Sequence, residues 1–445
     1  MKKILIKNAF VVNEGTTKKM DVLLEAGRIK QIDESIFPDD HTELVNAAGK
    51  YLLPGLIDDQ VHFREPGLTH KACIRTESRA AVAGGITSFI EMPNTNPQTT
   101  TLEELDRKFA IAAKDALANY SFMFGGTNDN YEEIKKLDVT QVAGLKLFLG
   151  SSTGNMLVDN EDVLRKIFSS TDLVISVHCE DEPTIRKNLA EHIEEYGDDI
   201  PIEKHPVIRS HDACYRSSSR AIALAKETGA RLHVFHLSTA KETDLFDNSI
   251  PLAEKKITAE VCTHHLWFTS EDYAEKGTFI KWNPAVKNAD DREALWAALN
   301  DDRIDVLATD HAPHTLEEKQ NLYTKAPSGG PLVQHALLAL LTAVKKGKIT
   351  IEKLVEKACH NPAILFQISN RGYLREGYFA DLVLVDLDRN TTVKKEDLLY
   401  QCGWSPFEGT TFSASVDKTW VNGQLVYDQG KIFEVNAAKR LSFDR

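Results

Sequence analysis

Hydrophobic and polar positions divide the chain into two regimes. In the middle, eight runs rich in apolar and β-branched residues follow one another at 52–63, 86–92, 121–125, 144–149, 173–177, 232–237, 257–262 and 304–309. Stretches of helical periodicity separate most of them, as at 72–83, 102–118, 217–227 and 292–299. Nearly continuous apolar strands alternating with helices predict a parallel sheet covered on its outer face. Eight such units predict closure into a (β/α)8 barrel of the TIM type rather than an open doubly wound sheet. No Gly-x-Gly-x-x-Gly turn follows the first strand, which weakens a dinucleotide-binding fold. Gly84-Gly85 falls where a helix should end, just before the second strand.

The two ends of the chain read differently. Short β-rich runs at 4–6, 9–12, 21–25 and 28–32 alternate with turns and have no helical segment between them. Runs at 380–385, 418–421 and 424–427 resemble them, the last two joined by the turn Asn422-Gly423. The prediction is a small β-sandwich built from both termini, residues 1–53 and 366–445, around a barrel over 54–365. A length of 445 residues agrees, since such a barrel alone takes about 250.

Composition narrows the partners. The net charge is −13, with acidic and basic residues interspersed. Nucleic acid and anionic membrane surfaces need a basic face, so neither is expected. The start Met1-Lys2-Lys3-Ile4-Leu5-Ile6-Lys7 lacks the apolar stretch and cleavage site of a signal peptide and reads as a strand. No apolar run approaches the roughly 20 residues that span a bilayer. Six dispersed cysteines without a Cys-x-x-Cys pair suggest reduced thiols in a cytoplasmic protein.

The chemistry lies where the apolar strands stop. The first ends Asp58-Asp59-Gln60-Val61-His62-Phe63-Arg64, and the second Glu91-Met92-Pro93-Asn94. The fourth carries Lys146; the fifth ends His178-Cys179-Glu180 and the sixth His236-Leu237-Ser238. The seventh ends Thr263-His264-His265, and the eighth Asp310-His311-Ala312-Pro313-His314. A single His or Asp at a strand end is more often structural, bonded to nearby backbone or capping a helix. A Lys inside an apolar strand is harder to dismiss, because a buried unpaired ammonium costs several kcal/mol. It needs a partner, a lowered pKa or a covalent change. Parallel barrel strands bring all these residues to one face, and imidazoles with carboxylates there form a ligand set for a divalent metal, zinc by ligand type.

These residues resemble the amidohydrolase superfamily, and within it the dihydroorotase family, over nearly the whole chain. The resemblance implies metal ligands at Gln60, His62, Lys146, His178, His236 and Asp310, with Lys146 converted by CO2 to a carbamate. It implies one or two Zn2+ ions, attack by metal-bound hydroxide on a ring amide, and Asp310 as general base and then general acid. Pro54-Gly55-Leu56-Ile57-Asp58 and Arg64-Glu65-Pro66-Gly67 match the family's first-strand motif. By the same resemblance Arg64, Asn94 and His314 contact a substrate carboxylate, and Asn283 and Gly330 contact the ring. The implied reaction is the reversible interconversion of dihydroorotate and N-carbamoyl-L-aspartate in pyrimidine biosynthesis. Hydantoinase or allantoinase chemistry on the same centre is the alternative.

One position departs from the family's Asp-x-His-x-His. Gln60 stands at the first His, and a neutral amide oxygen is a poorer zinc ligand than imidazole. Either one tight metal sits on Lys146, His178 and His236 with the second weak or absent, or the chain is a non-catalytic subunit. In the latter case it would pair with aspartate carbamoyltransferase; a homodimer is the other assembly to expect. Residues 151–155, rich in Ser and Gly, could form a lid.

Overall fold

The computed structural model describes residues 3–150 and 156–445, so residues 151–155, where the lid was expected, lie outside the described residues. The N-terminal strands are β1 (Lys3–Asn13), β2 (Thr16–Glu25), β3 (Arg28–Asp33), β4 (Thr42–Asn46) and β5 (Tyr51–Pro54). The barrel strands follow as β6 (Leu56–Val61), β7 (Ile86–Glu91), β8 (Asn119–Gly125), β9 (Gly144–Phe148), β10 (Ile175–His178), β11 (Leu232–Val234), β12 (Ile257–Cys262) and β13 (Val306–Ala308). The C-terminal part adds β14 (Leu382–Asp386), β15 (Thr391–Thr392), β16 (Thr411–Phe412), β17 (Ser415–Val421), β18 (Gln424–Asp428) and β19 (Lys431–Ile432).

The barrel forms because its strands are apolar on both sides. All positions of β7, β8 and β9 are buried, the inner ones in the barrel and the outer ones under helices such as Ile74–Ala83 and Leu102–Asp115. The eight strands lie in sequence order from β6 to β13. The ring closes where the His62 N–H donates to the His311 carbonyl at 2.7 Å and Val61 pairs in parallel with His311. Gly85 takes φ +81° at the turn into β7, a left-handed conformation that glycine reaches without strain.

Strands from both termini make one nine-stranded sheet in the order β19-β18-β17-β14-β5-β1-β2-β3, with β4 beside β1. The run read as one strand over 52–63 is two. Tyr51–Pro54 pairs with β1 and β14 in the terminal sheet, and after Gly55 the chain enters the barrel as β6. A Cβ at Gly55 would lie 2.1 Å from Thr87 Oγ1, so a side chain there would block the crossing. The terminal sheet is also mixed, since β4 and β5 both run parallel to β1. Polar contacts fix it to the barrel: Asn422 Nδ2 donates to Asn119 Oδ1 at 2.6 Å, and Asn119 Nδ2 to Asp381 Oδ2 at 3.2 Å. No helix among the described residues is long and apolar enough to cross a membrane. All six cysteines are free thiols.

Candidate functional site

Every strand end singled out above lies at the same mouth of the barrel. Three of its residues, Arg64, His236 and Asp310, have positive φ (68°, 42° and 50°) although none is glycine. Each sits just beyond a barrel strand, where the left-handed residue turns the chain sharply. Such conformations cost about 1–3 kcal/mol apiece and persist only where surrounding structure imposes them.

Two close pairs occupy the mouth. His178 Nδ1 faces His236 Nε2 at 3.0 Å, and His62 Nε2 faces Asp310 Oδ1 at 3.2 Å. In each pair the outer nitrogen decides what the inner one offers. His178 Nε2–H donates to Glu180 Oε2 at 3.0 Å, and Arg209 bonds the same carboxylate, which is held down at about 2 mainly by that guanidinium against its burial. His178 therefore presents a lone pair at Nδ1. His62 Nδ1–H donates to Asn94 Oδ1 at 2.8 Å, leaving a lone pair at Nε2 that faces the Asp310 carboxylate. Burial holds both His62 and His236 well below the ordinary imidazole range, so the rings are neutral. Two acceptors 3.2 Å apart need a cation or a proton between them, and His236 Nδ1 has no partner. The donor set fits a divalent metal held by neutral imidazoles and a carboxylate.

Lys146 is 1% exposed, and its Nζ makes no hydrogen bond. Burial lowers its pKa to about 7, opposed by the charges of Glu260 and Asp310. Asp310 is raised to about 7, again by burial, with Lys146, His178 and Arg64 pulling the other way. Gln60 is buried, and its Oε1 faces Cys262 Sγ at 3.8 Å. Asp58 bonds Thr309 through N–H (3.2 Å) and Oγ1 (2.6 Å), tying β6 to the end of β13.

A cationic group borders these pairs. Arg64 is buried; its Nε donates to the Pro313 carbonyl at 3.0 Å, and Nη2 lies 3.0 Å from His314 Nε2. Lys71 Nζ lies 3.1 Å from His314 Nδ1, and the Ser328 carbonyl lies 3.0 Å from His314 Nε2. Among the described residues no carboxylate forms an ion pair with Arg64; Asp310 is the largest charge acting on it. Asn94 thus has its oxygen on His62, with Nδ2 as its donor end. Gly330 joins the mouth through its backbone, since its carbonyl accepts from Ala312 N at 3.0 Å. A Cβ at Gly330 would lie 2.7 Å from the ring of Trp282, the residue before Asn283 in the chain.

Three polar groups here were not anticipated. Glu180 orients His178; the spacing His178-Cys179-Glu180 was its only signal. Glu77, in the helix after β6, accepts from His311 Nε2 at 2.8 Å, while His311 Nδ1 accepts from Leu332 N at 2.9 Å. The third is a trio inside the barrel, Asp59, His233 and Glu260, with ligand atoms all within 4.8 Å of one another. Its signal was consecutive acids, Asp58-Asp59, inside an otherwise apolar strand.

Comparison with known proteins agrees with this geometry. The model of the amidohydrolase family matches residues 51–426. A dihydroorotase of Halobacterium salinarum is 36% identical over 417 residues, 92% of this chain and 93% of that protein. An allantoinase of Desulfitobacterium hafniense is 31% identical over 444 residues, 98% of each. The solved L-hydantoinase (dihydropyrimidinase) from Arthrobacter aurescens superposes with a TM-score of 0.94 at 28% identity, covering 99% of this chain and 100% of that one.

Proposed function

The chain belongs to the amidohydrolase family, and from that membership we propose that it is a dihydroorotase, hydrolysing dihydroorotate reversibly to N-carbamoyl-L-aspartate in pyrimidine biosynthesis. The coarser activity, metal-dependent hydrolysis of a cyclic amide, is common to the relatives on either side of this choice. Residues 54–365 form the catalytic barrel in this reading, with 1–53 and 366–445 as its flanking domain.

The observation that carries the choice is Arg64. A guanidinium buried at the mouth, paired with no carboxylate of its own chain among the described residues, leaves a desolvated positive charge for a substrate to satisfy. Dihydroorotate brings a carboxylate, whereas hydantoin and allantoin are uncharged rings. Arg64 and the donor end of Asn94 would bind that carboxylate, and His314 would orient Arg64 beside it. Asn283 and the backbone of Gly330 would face the ring.

His62, His178, His236, Asp310 and a carboxylated Lys146 would hold zinc, with Gln60 a weak contributor at most. Zinc held by these residues would acidify a bound water and polarise the amide carbonyl. Asp310 takes a proton from the attacking water and returns it to the ring nitrogen as the C–N bond breaks. Glu180 and Asn94 keep the lone pairs of His178 and His62 aimed inward.

The test is a comparison of kcat/KM for dihydroorotate, allantoin and 5-substituted hydantoins with zinc-loaded protein. Dihydroorotate should be the preferred substrate by orders of magnitude. Turnover of the uncharged rings alone would replace this reading with a hydantoinase or allantoinase.

A further inference from the structure

Beneath the mouth, the barrel interior holds polar side chains that the proposed reaction does not use. Asp59 on β6, His233 on β11 and Glu260 on β12 are all fully buried. Asp59 lies three residues before His62, and His233 three before His236, so the trio sits a layer deeper than the mouth. Residues an odd number apart on a regular strand face opposite ways. Here the register of β6 shifts between Asp58 and Val61, and His236 has φ +42°, so both members of each pair face the axis.

The hydrogen-bond pattern fixes what the trio presents. Thr258 Oγ1 donates to the Leu232 carbonyl at 3.2 Å, so its 2.8 Å bond to His233 is donated by the ring Nδ1–H. The ring's Nε2 then points at Asp59 Oδ2, 3.3 Å away, and Glu260 Oε2, 3.9 Å away. Both oxygens of Asp59, Nε2 of His233 and Oε2 of Glu260 have no hydrogen-bond partner. Glu260 cannot turn aside, because its other oxygen accepts from His236 N at 3.0 Å and Cys262 Sγ at 3.2 Å. Lys146 Nζ makes no hydrogen bond to it.

Four buried ligand atoms without a hydrogen-bond partner, from three side chains converging on one point, are what a cation would satisfy. Tetrahedral zinc with ligands at about 2.0–2.1 Å sets its ligand atoms about 3.3 Å apart, the separation of His233 Nε2 from Asp59 Oδ2, with Glu260 Oε2 at 3.9 Å from Nε2. A ring that gives its outer N–H to a hydroxyl is also the usual arrangement of a metal-binding histidine. We infer that Asp59, His233 and Glu260 hold a divalent cation of the zinc or manganese class inside the barrel, separate from the ions at the mouth. The ion joins β6 to β11 and β12 across the barrel axis, although β6 neighbours neither in the sheet. Its role is structural, and its burial makes it slow to exchange. The carboxylate of Asp59 directly precedes Gln60, so the strand gains a ligand for the deep site beside the position where the mouth lacks an imidazole.

The test uses the whole chain loaded with Zn2+ and then dialysed against zinc-free buffer. Anomalous scattering at the zinc edge from wild-type crystals should show a peak bounded by the three side chains. Asp59→Asn and His233→Gln should each lose one zinc per chain by mass spectrometry and unfold at lower temperature. His178→Asn, altered at the mouth, should keep the deep ion. Zinc at the mouth with no peak in the trio would overturn the inference, as would unchanged zinc content in either deep variant. Where a deep variant does not fold, the wild-type map alone decides.

Discussion

His178 Nδ1 and His236 Nε2 face one another across 3.0 Å, and the far side of the His178 ring is fixed by Glu180. This geometry makes Glu180 a positioning residue with a measurable share of metal affinity. Glu180→Gln keeps the shape and removes the charge that sets the tautomer. Zinc affinity should fall about 10–100-fold, measured by competition with a chelator. Unchanged affinity would mean that Glu180 serves Arg209 alone.

Lys146 depends on its burial for its chemistry. With its pKa lowered to about 7, a substantial fraction is free amine at neutral pH, and only free amine adds CO2. Lys146→Ala should lower the zinc content, and acetate or propionate should restore part of it by supplying a carboxylate oxygen. Full zinc retention without added acid would refute a carbamate at this position.

Asp310 gives the metal-free protein a defined pH dependence. Its folded pKa, about 7, lies above the ordinary 3.8, so the folded state binds the proton more tightly than the unfolded chain. That stability is complete at low pH and is lost as pH rises through about 7. Between pH 6 and 8 the loss is about 1.4 kcal/mol, and Asp310→Asn should remove that share of the slope. Chemical denaturation of the chelator-stripped variant at both pH values measures it; an unaltered slope contradicts the assignment.

Gly330 is needed for its missing side chain. A Cβ there would lie 2.7 Å from the Trp282 ring and 3.1 Å from Trp404, with rigid rings on both sides. Gly330→Ala should destabilise the fold by about 1–3 kcal/mol in urea unfolding. It should also lower activity, since Gly330 supports Ala312, two residues after Asp310. Wild-type stability in this variant would show that the rings move aside easily.

Much of this arrangement was legible in the sequence, for a physical reason. A parallel strand under helices is apolar throughout, so polar residues stand out at its C-terminal end, as His62, His178, His236 and Asp310 do, and inside it, as Lys146 does in β9. Features that depend on backbone irregularity were hidden. Regular alternation along a strand would not set Asp59 beside His62 or His233 beside His236 on one face; the register shift in β6 and the left-handed His236 do. The split at Gly55 was masked because the apolar run of β5 continues through Leu56 and Ile57 at the start of β6, although the two strands serve different sheets. Pairing partners were equally out of reach. The parallel contact of β4 with β1 and the bond from Glu77 to His311 join residues far apart in the chain.

The reading of Arg64 as a carboxylate anchor is tested most directly by one specificity ratio. Dihydroorotate and dihydrouracil share a ring and differ by the carboxylate. Steady-state kinetics should show wild-type protein preferring dihydroorotate in kcat/KM by about 10²-fold or more, from the roughly 3 kcal/mol of a buried charged pair. In Arg64→Ala the preference should collapse while zinc content stays at the wild-type level. Equal or faster turnover of dihydrouracil by the wild-type protein, or an intact preference in Arg64→Ala, would contradict the account.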